Sequence, residues 1–143
     1  MATHQVTLPD FFAQCPYELR AHPLSDSVRL KTQNWVLNVI NFNGQEKMAF
    51  LQICGGLLGS YCYPEASEYH VQVCGDWQDW SFCLDDISDK CSTTQAQSII
   101  DSVKQCLRDP EGYQASAPIC ELAKEYVDFA YDHYFDLFKP TNE

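Results

Sequence analysis

Asp76-Trp77-Gln78-Asp79-Trp80-Ser81-Phe82-Cys83-Leu84-Asp85-Asp86-Ile87-Ser88-Asp89 is the stretch on which the reading of this chain turns. Together with the residues before it, it carries one apolar stripe: Ala66, His70, Val73, Trp77, Trp80, Leu84 and Ile87 recur at three- and four-residue steps. That is the spacing of a single helix face. It predicts one long helix opening at Pro64-Glu65 and ending near Asp89, with Trp77 and Trp80 turned toward the core. Asp85 and Asp89 then stand one turn apart and point to the same side. Asp86 and Asp89 are neighbours at i,i+3. Clustered like charges weaken a helix unless a cation joins them. Hard carboxylate oxygens suit Mg²⁺, which keeps several waters and bridges carboxylates to phosphates. The negative end of the helix dipole adds a small attraction. Ser81 and Phe82 lie four and three residues before Asp85, on roughly the same side. An aromatic face there attracts a cation by up to about 2 kcal/mol when desolvated. On their own, three aspartates at a helix end also read as a solvated acidic corner.

Helical periodicity runs through the rest of the chain, and no segment alternates as a strand would. Residues 8–24 carry Pro9, Pro16 and Pro23 and read as a wrapping segment with at most a short helix. A first long helix is expected from Ser27 to Phe42, closed by Asn43-Gly44. A second, from Gln45 to Tyr63, is apolar nearly all round and belongs at the centre of a bundle. Its Gly55, Gly56 and Gly59 lower helix propensity by about 1 kcal/mol each and leave room for close packing. After the Asp-rich helix, Ser92-Thr-Thr-Gln95 reads as a capping box for a fourth helix that stops at Asp109-Pro110. A last helix is expected from Pro118 to about Phe138. The fold class is all-α, about five helices, with residues 1–143 one domain: a wrapping segment over 1–24 and helices over 25–138.

Composition agrees with a folded chain. The 143 residues leave room for one domain. Hydrophobic residues at 45% and charged residues at 20% are ordinary globular usage. Nine basic and 20 acidic residues give a net charge of −11. That balance argues against nucleic acid and anionic membrane surfaces, which select for Lys and Arg. It is compatible with metal cations. The most apolar stretch, Met48 to Tyr63, is shorter than the roughly 18–20 residues of a spanning helix, so no membrane span is read. The start lacks a basic n-region and an apolar h-region, so a cytoplasmic chain with reduced thiols is expected. The eight cysteines are scattered singly, with no Cys-x-x-Cys pair, and read as small buried hydrophobes. His70 and Cys74, at i,i+4, could share a metal but have no further ligands at hand.

Several segments, in order, resemble fungal class I terpene synthases, most closely the sesquiterpene synthases of mushroom-type fungi. They are Leu8-Pro-Asp10, then Cys15-Pro-Tyr-Glu-Leu-Arg-Ala-His-Pro23, then the Trp35 helix, then Cys62-Tyr-Pro-Glu-Ala66. The run Asp76 to Asp89 follows, with its Trp-x-Phe-x-x-Asp-Asp-x-x-Asp form, and a helix ending in Arg108-Asp109-Pro110. The resemblance reaches to about residue 120. It implies the N-terminal part of the all-α terpenoid synthase bundle. It also implies a chemistry in which a prenyl diphosphate, commonly farnesyl diphosphate, is ionised with Mg²⁺ ions and the carbocation cyclises in an apolar, aromatic-lined pocket. Carried over, the metal motif falls on Asp85, Asp86 and Asp89, with Asp85 and Asp89 as the direct ligands. Phe82 and Ser81 fall in the cavity lining.

The family's second metal motif, Asn-Asp-x-x-Ser-x-x-x-Glu, has no counterpart. Asn34, Asn38, Asn41, Asn43 and Asn142 do not open such a run, and Arg20, Arg29 and Arg108 match no diphosphate-gripping position. The ending Phe135-Asp-Leu-Phe-Lys-Pro-Thr-Asn-Glu143 reads as a premature stop. The resulting expectation is a truncated sesquiterpene synthase-like chain, inactive alone, with apolar surface left open to self-association. Two alternatives stand beside it. One is a cyclase that works after assembling with itself or a second fragment. The other is a non-catalytic acidic helical module that binds cations or a partner.

Overall fold

A computed structural model describes residues 7–136, with positions 12 and 132–136 described by backbone alone. The helices are α1 (Phe11–Gln14), α2 (Ser25–Val39), α3 (Gly44–Ile53), α4 (Gly55–Cys62), α5 (Glu68–Asp89), α6 (Thr93–Arg108) and α7 (Pro118–Asp136). The all-α class holds, with no strand among the described residues. The five expected helical stretches are all present. The expected end of the last helix at Phe138, and the tail after it, lie outside the described residues.

Local chemistry sets most boundaries. Asn43 Oδ1 accepts from the Gln45 and Glu46 N–H groups, both at 3.0 Å, while Glu46 accepts from the Asn43 N–H at 3.2 Å. That reciprocal box starts α3. Ser92 and Gln95 form the expected box at the head of α6. Ser67 Oγ accepts from the His70 N–H at the head of α5. In the lead-in, α1 is a single turn, and Leu8, Phe11, Tyr17 and Leu19 are exposed. His22 ties its end down. Its N–H donates to Ser60 O at 3.0 Å, and its ring bonds to Ala66 O and the Leu24 N–H.

The expected continuous helix over 45–63 is corrected by the structure. It breaks at Cys54, which adopts the left-handed conformation (φ 56°, ψ 43°). A non-glycine residue there costs roughly 1 kcal/mol or more, so something must hold it. Asp79, on α5, does so. Its Oδ1 accepts from the Gly55 N–H at 2.7 Å and so caps the first turn of α4 from outside the helix. The break also frees α4 to run antiparallel along α5 through a glycine seam. A Cβ on Gly75 would stand 2.9 Å from Gly56 Cα, and one on Gly56 would stand 2.7 Å from Arg29 Cα on α2. Side chains of any size would force the three helices apart.

The seam also shifts which face of α5 is buried. The inward face is Val71, Gly75, Asp76, Asp79, Trp80 and Cys83, not the face centred on Trp77. Trp80 is buried and donates from Nε1 to Ile119 O at 3.1 Å, tying α5 to the head of α7. Trp77, expected in the core, is 42% exposed. The central helix of the bundle is therefore α5, which packs on α2, α4 and α7. In α3 only Phe50 is buried, and Met48 is exposed. Of the cysteines, Cys83, Cys106 and Cys120 are buried as expected, whereas Cys15 and Cys62 are exposed.

Candidate functional site

Turning the apolar side of α5 onto α4 and α2 leaves its opposite side open. That side carries Trp77, Ser81, Phe82, Asp85 and Asp89 at three- and four-residue steps. Phe82 is 39% exposed, and both aspartates are exposed. Ser81 Oγ donates to Gln78 O at 3.0 Å, which keeps its hydroxyl against its own helix. Asp85 and Asp89 lie in the last turns of the 22-residue α5. Four of the expected site residues, Ser81, Phe82, Asp85 and Asp89, thus share one helix face.

Asp86 is set aside from them. It lines a cleft of 420 Å³ whose walls include Ile40, Phe42, Ala49, Cys83 and Ile87. Lys90, the cation nearest the motif in sequence, reaches away to Glu46 Oε1 at 3.6 Å. Among the described residues no ion pair or side-chain hydrogen bond engages the carboxylates of Asp85, Asp86 or Asp89. Burial pushes the Cys83 thiol up to about 12, and the charges of Asp79 and Asp86 push the same way. It is therefore an inert wall of the cleft.

The donor set can be weighed for Mg²⁺ on these observations. Asp85 and Asp89 are hard, exposed oxygen donors at a helix C-terminus, and no cation among the described residues pairs with them. That suits an ion that takes one or two carboxylates and fills its remaining positions with water and phosphate. No three His, Cys, Asp or Glu side chains converge to hold a metal among the described residues. His70 instead meets Ser67 Oγ at 2.6 Å through its Nδ1. The Asp-rich face by itself is therefore not a complete metal site among the described residues.

Sequence reasoning missed Asp76 and Asp79. Both are buried, and burial raises each carboxyl to about 6. Hydrogen bonds from Gln72 and Thr32 pull Asp76 back down, as the Gly55 N–H does for Asp79. The available signal was the pairing of Gly55-Gly56 and Gly59 with Gly75, which marks the seam where a helix N-terminus meets an aspartate. No helix among the described residues is long and apolar enough to cross a membrane.

Comparison with known proteins agrees with the architecture. Over 108 residues the chain is 34% identical to an alpha-muurolene synthase of Coprinopsis cinerea, covering 75% of this chain and 25% of that protein. It is 28% identical over 122 residues to the sesquiterpene synthase Agr1 of Cyclocybe aegerita, covering 85% and 35%. It is 26% identical over 118 residues to sesquiterpene synthase 3 of Postia placenta, covering 82% and 32%. The chain spans about a quarter to a third of the length of these relatives. No protein-family profile matches it. Similarity along most of the chain, carried on an all-α framework, places it in the fungal sesquiterpene synthase-like family.

Proposed function

We propose that these 143 residues form the aspartate-bearing side of a prenyl diphosphate site, of the kind that ionises and cyclises farnesyl diphosphate. The observation that carries this reading is the single open face of α5 on which Ser81, Phe82, Asp85 and Asp89 align. Asp85 and Asp89 would hold Mg²⁺, and the α5 C-terminus would add its dipole. Bound there, Mg²⁺ would neutralise the diphosphate and ease departure of that group. Asp86, lining the α3–α5 cleft, would act only through its charge. Phe82, one turn before Asp85, presents an apolar ring where the hydrocarbon end of such a substrate would lie, and its π-face would favour developing positive charge.

Turnover needs more than this face. The ring of Phe82 is open to solvent, and a carbocation formed there would be quenched by water unless another segment closed the site. The sequence holds no Asn-Asp-x-x-Ser-x-x-x-Glu run and no matching arginine clamp. Preorganised cations and donors aimed at the leaving group supply most of such a catalytic effect. The chain alone is therefore expected to bind Mg²⁺ weakly and to release no cyclised product. A second reading, cyclisation after assembly with a complementary segment, draws support from the small share of the relatives that this chain spans.

The test incubates the purified chain with farnesyl diphosphate and Mg²⁺ and analyses the volatiles. No product is expected from the chain alone, and sesquiterpenes on adding a segment that carries the second motif. Products from the chain alone, abolished by Asp85→Ala, would overturn the inactive-alone reading. No product in either arm, with no saturable Mg²⁺ binding, would remove the prenyl diphosphate reading and favour a non-catalytic module.

A further inference from the structure

A second feature lies about half a turn around α5 from the aspartate face, where residues 72 and 76 point. There α2, α5 and α7 enclose a groove of 460 Å³, walled by Trp35, Tyr126 and Phe129 and edged by Gln72, Asp76 and Glu125. The rings are held in place. Trp35 Nε1 donates to Glu125 Oε2 at 2.7 Å, which also sets that carboxylate at the mouth. Gln72 Nε2 donates to Asp76 Oδ1 at 2.7 Å and to Thr32 Oγ1 at 3.0 Å. These bonds orient the amide, and its Oε1 is left buried with no donor among the described residues. A buried acceptor without a donor costs roughly 1–3 kcal/mol.

The charge in the groove is one-sided. Asp76 is only 7% exposed, and no cation pairs with it among the described residues. Lys31 also lines the groove, but its ammonium is engaged by Glu68 Oε1 at 2.8 Å. Aromatic faces attract organic cations, and carboxylates attract them further. Two carboxylates disfavour an anionic ligand. No three metal-ligating side chains converge here, and aromatic walls suit a metal ion poorly. The carboxylates of Asp76 and Glu125 accept N–H bonds, which a quaternary ammonium cannot give.

We infer that this groove is a binding site for a small organic ammonium ion bearing N–H groups. Its N–H groups would donate to the carboxylates of Asp76 and Glu125, and its alkyl part would lie on Tyr126 and Phe129. Burial raises the Asp76 carboxyl to about 6, as expected for a carboxylate that lacks its cation. The inference is independent of the diphosphate reading, because no groove residue lies on the Asp85 face.

The probe is n-butylammonium chloride added to the full chain, with tetramethylammonium chloride and NaCl as controls. Binding is followed by amide and indole NMR shifts and by tryptophan fluorescence. The expected result is saturable binding with shifts at Trp35 and Gln72, and tetramethylammonium weaker by about fivefold or more for want of an N–H. Asp76→Asn should weaken binding about tenfold. Glu125→Gln, at an exposed position that needs no refolding, should weaken it by about threefold. Asp85→Asn should leave it unchanged. Shifts no larger than those from NaCl, equal binding of tetramethylammonium, or full affinity in a folded Glu125→Gln chain would overturn the inference.

Discussion

Two groups of aspartates share α5, and they behave as different chemistry. Asp76 and Asp79 lie on the inward face, buried, hydrogen-bonded and pushed up to about 6. Asp85, Asp86 and Asp89 lie beyond them at the open end of the helix. The amino acid and the helix are the same, so position relative to the glycine seam decides the role. Where α4 abuts α5, a carboxylate becomes a cap for a neighbouring helix. Past the end of α4, the same side chain stays available to a cation. An acidic residue next to a motif therefore need not belong to it.

The contrast can be broken most forcefully at the seam. Gly75→Val would place a branched side chain 2.9 Å from Gly56 Cα and 3.1 Å from Thr32 Oγ1. A loss of about 3 kcal/mol or more is expected in urea denaturation, since backbone cannot yield as a side chain can. A neutral outcome would mean that the seam does not set the buried face of α5.

Acid should sharpen the contrast next. For Asp76 and Asp79 the folded pKa, about 6, lies above the unfolded value of 3.8. The folded state then binds more protons between those values. Stability from this pair is fully present below about pH 4 and is lost as pH rises through 6. About 2 kcal/mol for each carboxyl, roughly 4 kcal/mol for the pair, is expected to disappear between pH 4.5 and 7.5. Asp79→Asn should flatten that slope, whereas Asp85→Asn should leave it in place. Stability that rises over this interval in the parent chain, with the same slope in Asp79→Asn, would show these carboxyls to be solvated.

Smaller effects follow at the hinge and on the open face. Cys54→Gly removes the cost of a left-handed cysteine and should gain up to about 1 kcal/mol, read as a higher melting temperature. Destabilisation would assign Cys54 a packing role beyond the contact of its Sγ with Leu51 O. Asp85→Asn should change stability by no more than about 0.5 kcal/mol, because the residue is exposed and its carboxylate has no partner among the described residues. Its effect should appear instead in calorimetry, as lost Mg²⁺ binding. An Asp85→Asn chain that unfolds readily would make Asp85 a structural residue like Asp79.

Much of this molecule is legible in one dimension. The capping box at Ser92, the prolines that bound the helices and the spacing of Phe82, Asp85 and Asp89 follow from rules that act within a few residues, whereas Asn43, expected to close the first helix, instead caps the start of α3. Their physics is local: a hydroxyl or amide reaches a backbone N–H two or three positions on, and a helix turns about 100° per residue. The aspartate face was readable for that reason. The exposure of Trp77, the break at Cys54 and the role of Asp79 are not legible in one dimension, because each depends on a distant partner. Cys54 holds its conformation because Asp79, 25 positions on in sequence, caps the helix that follows it. Trp77 is left half-exposed, its ring against Trp80 and Tyr126, because glycines on α4 and α5 draw the other side of α5 inward. The groove at Trp35 and Tyr126 needs three helices separated widely along the chain. Side-chain periodicity states that a helix has an apolar face, but which face is buried is decided by the closest approach its neighbours allow.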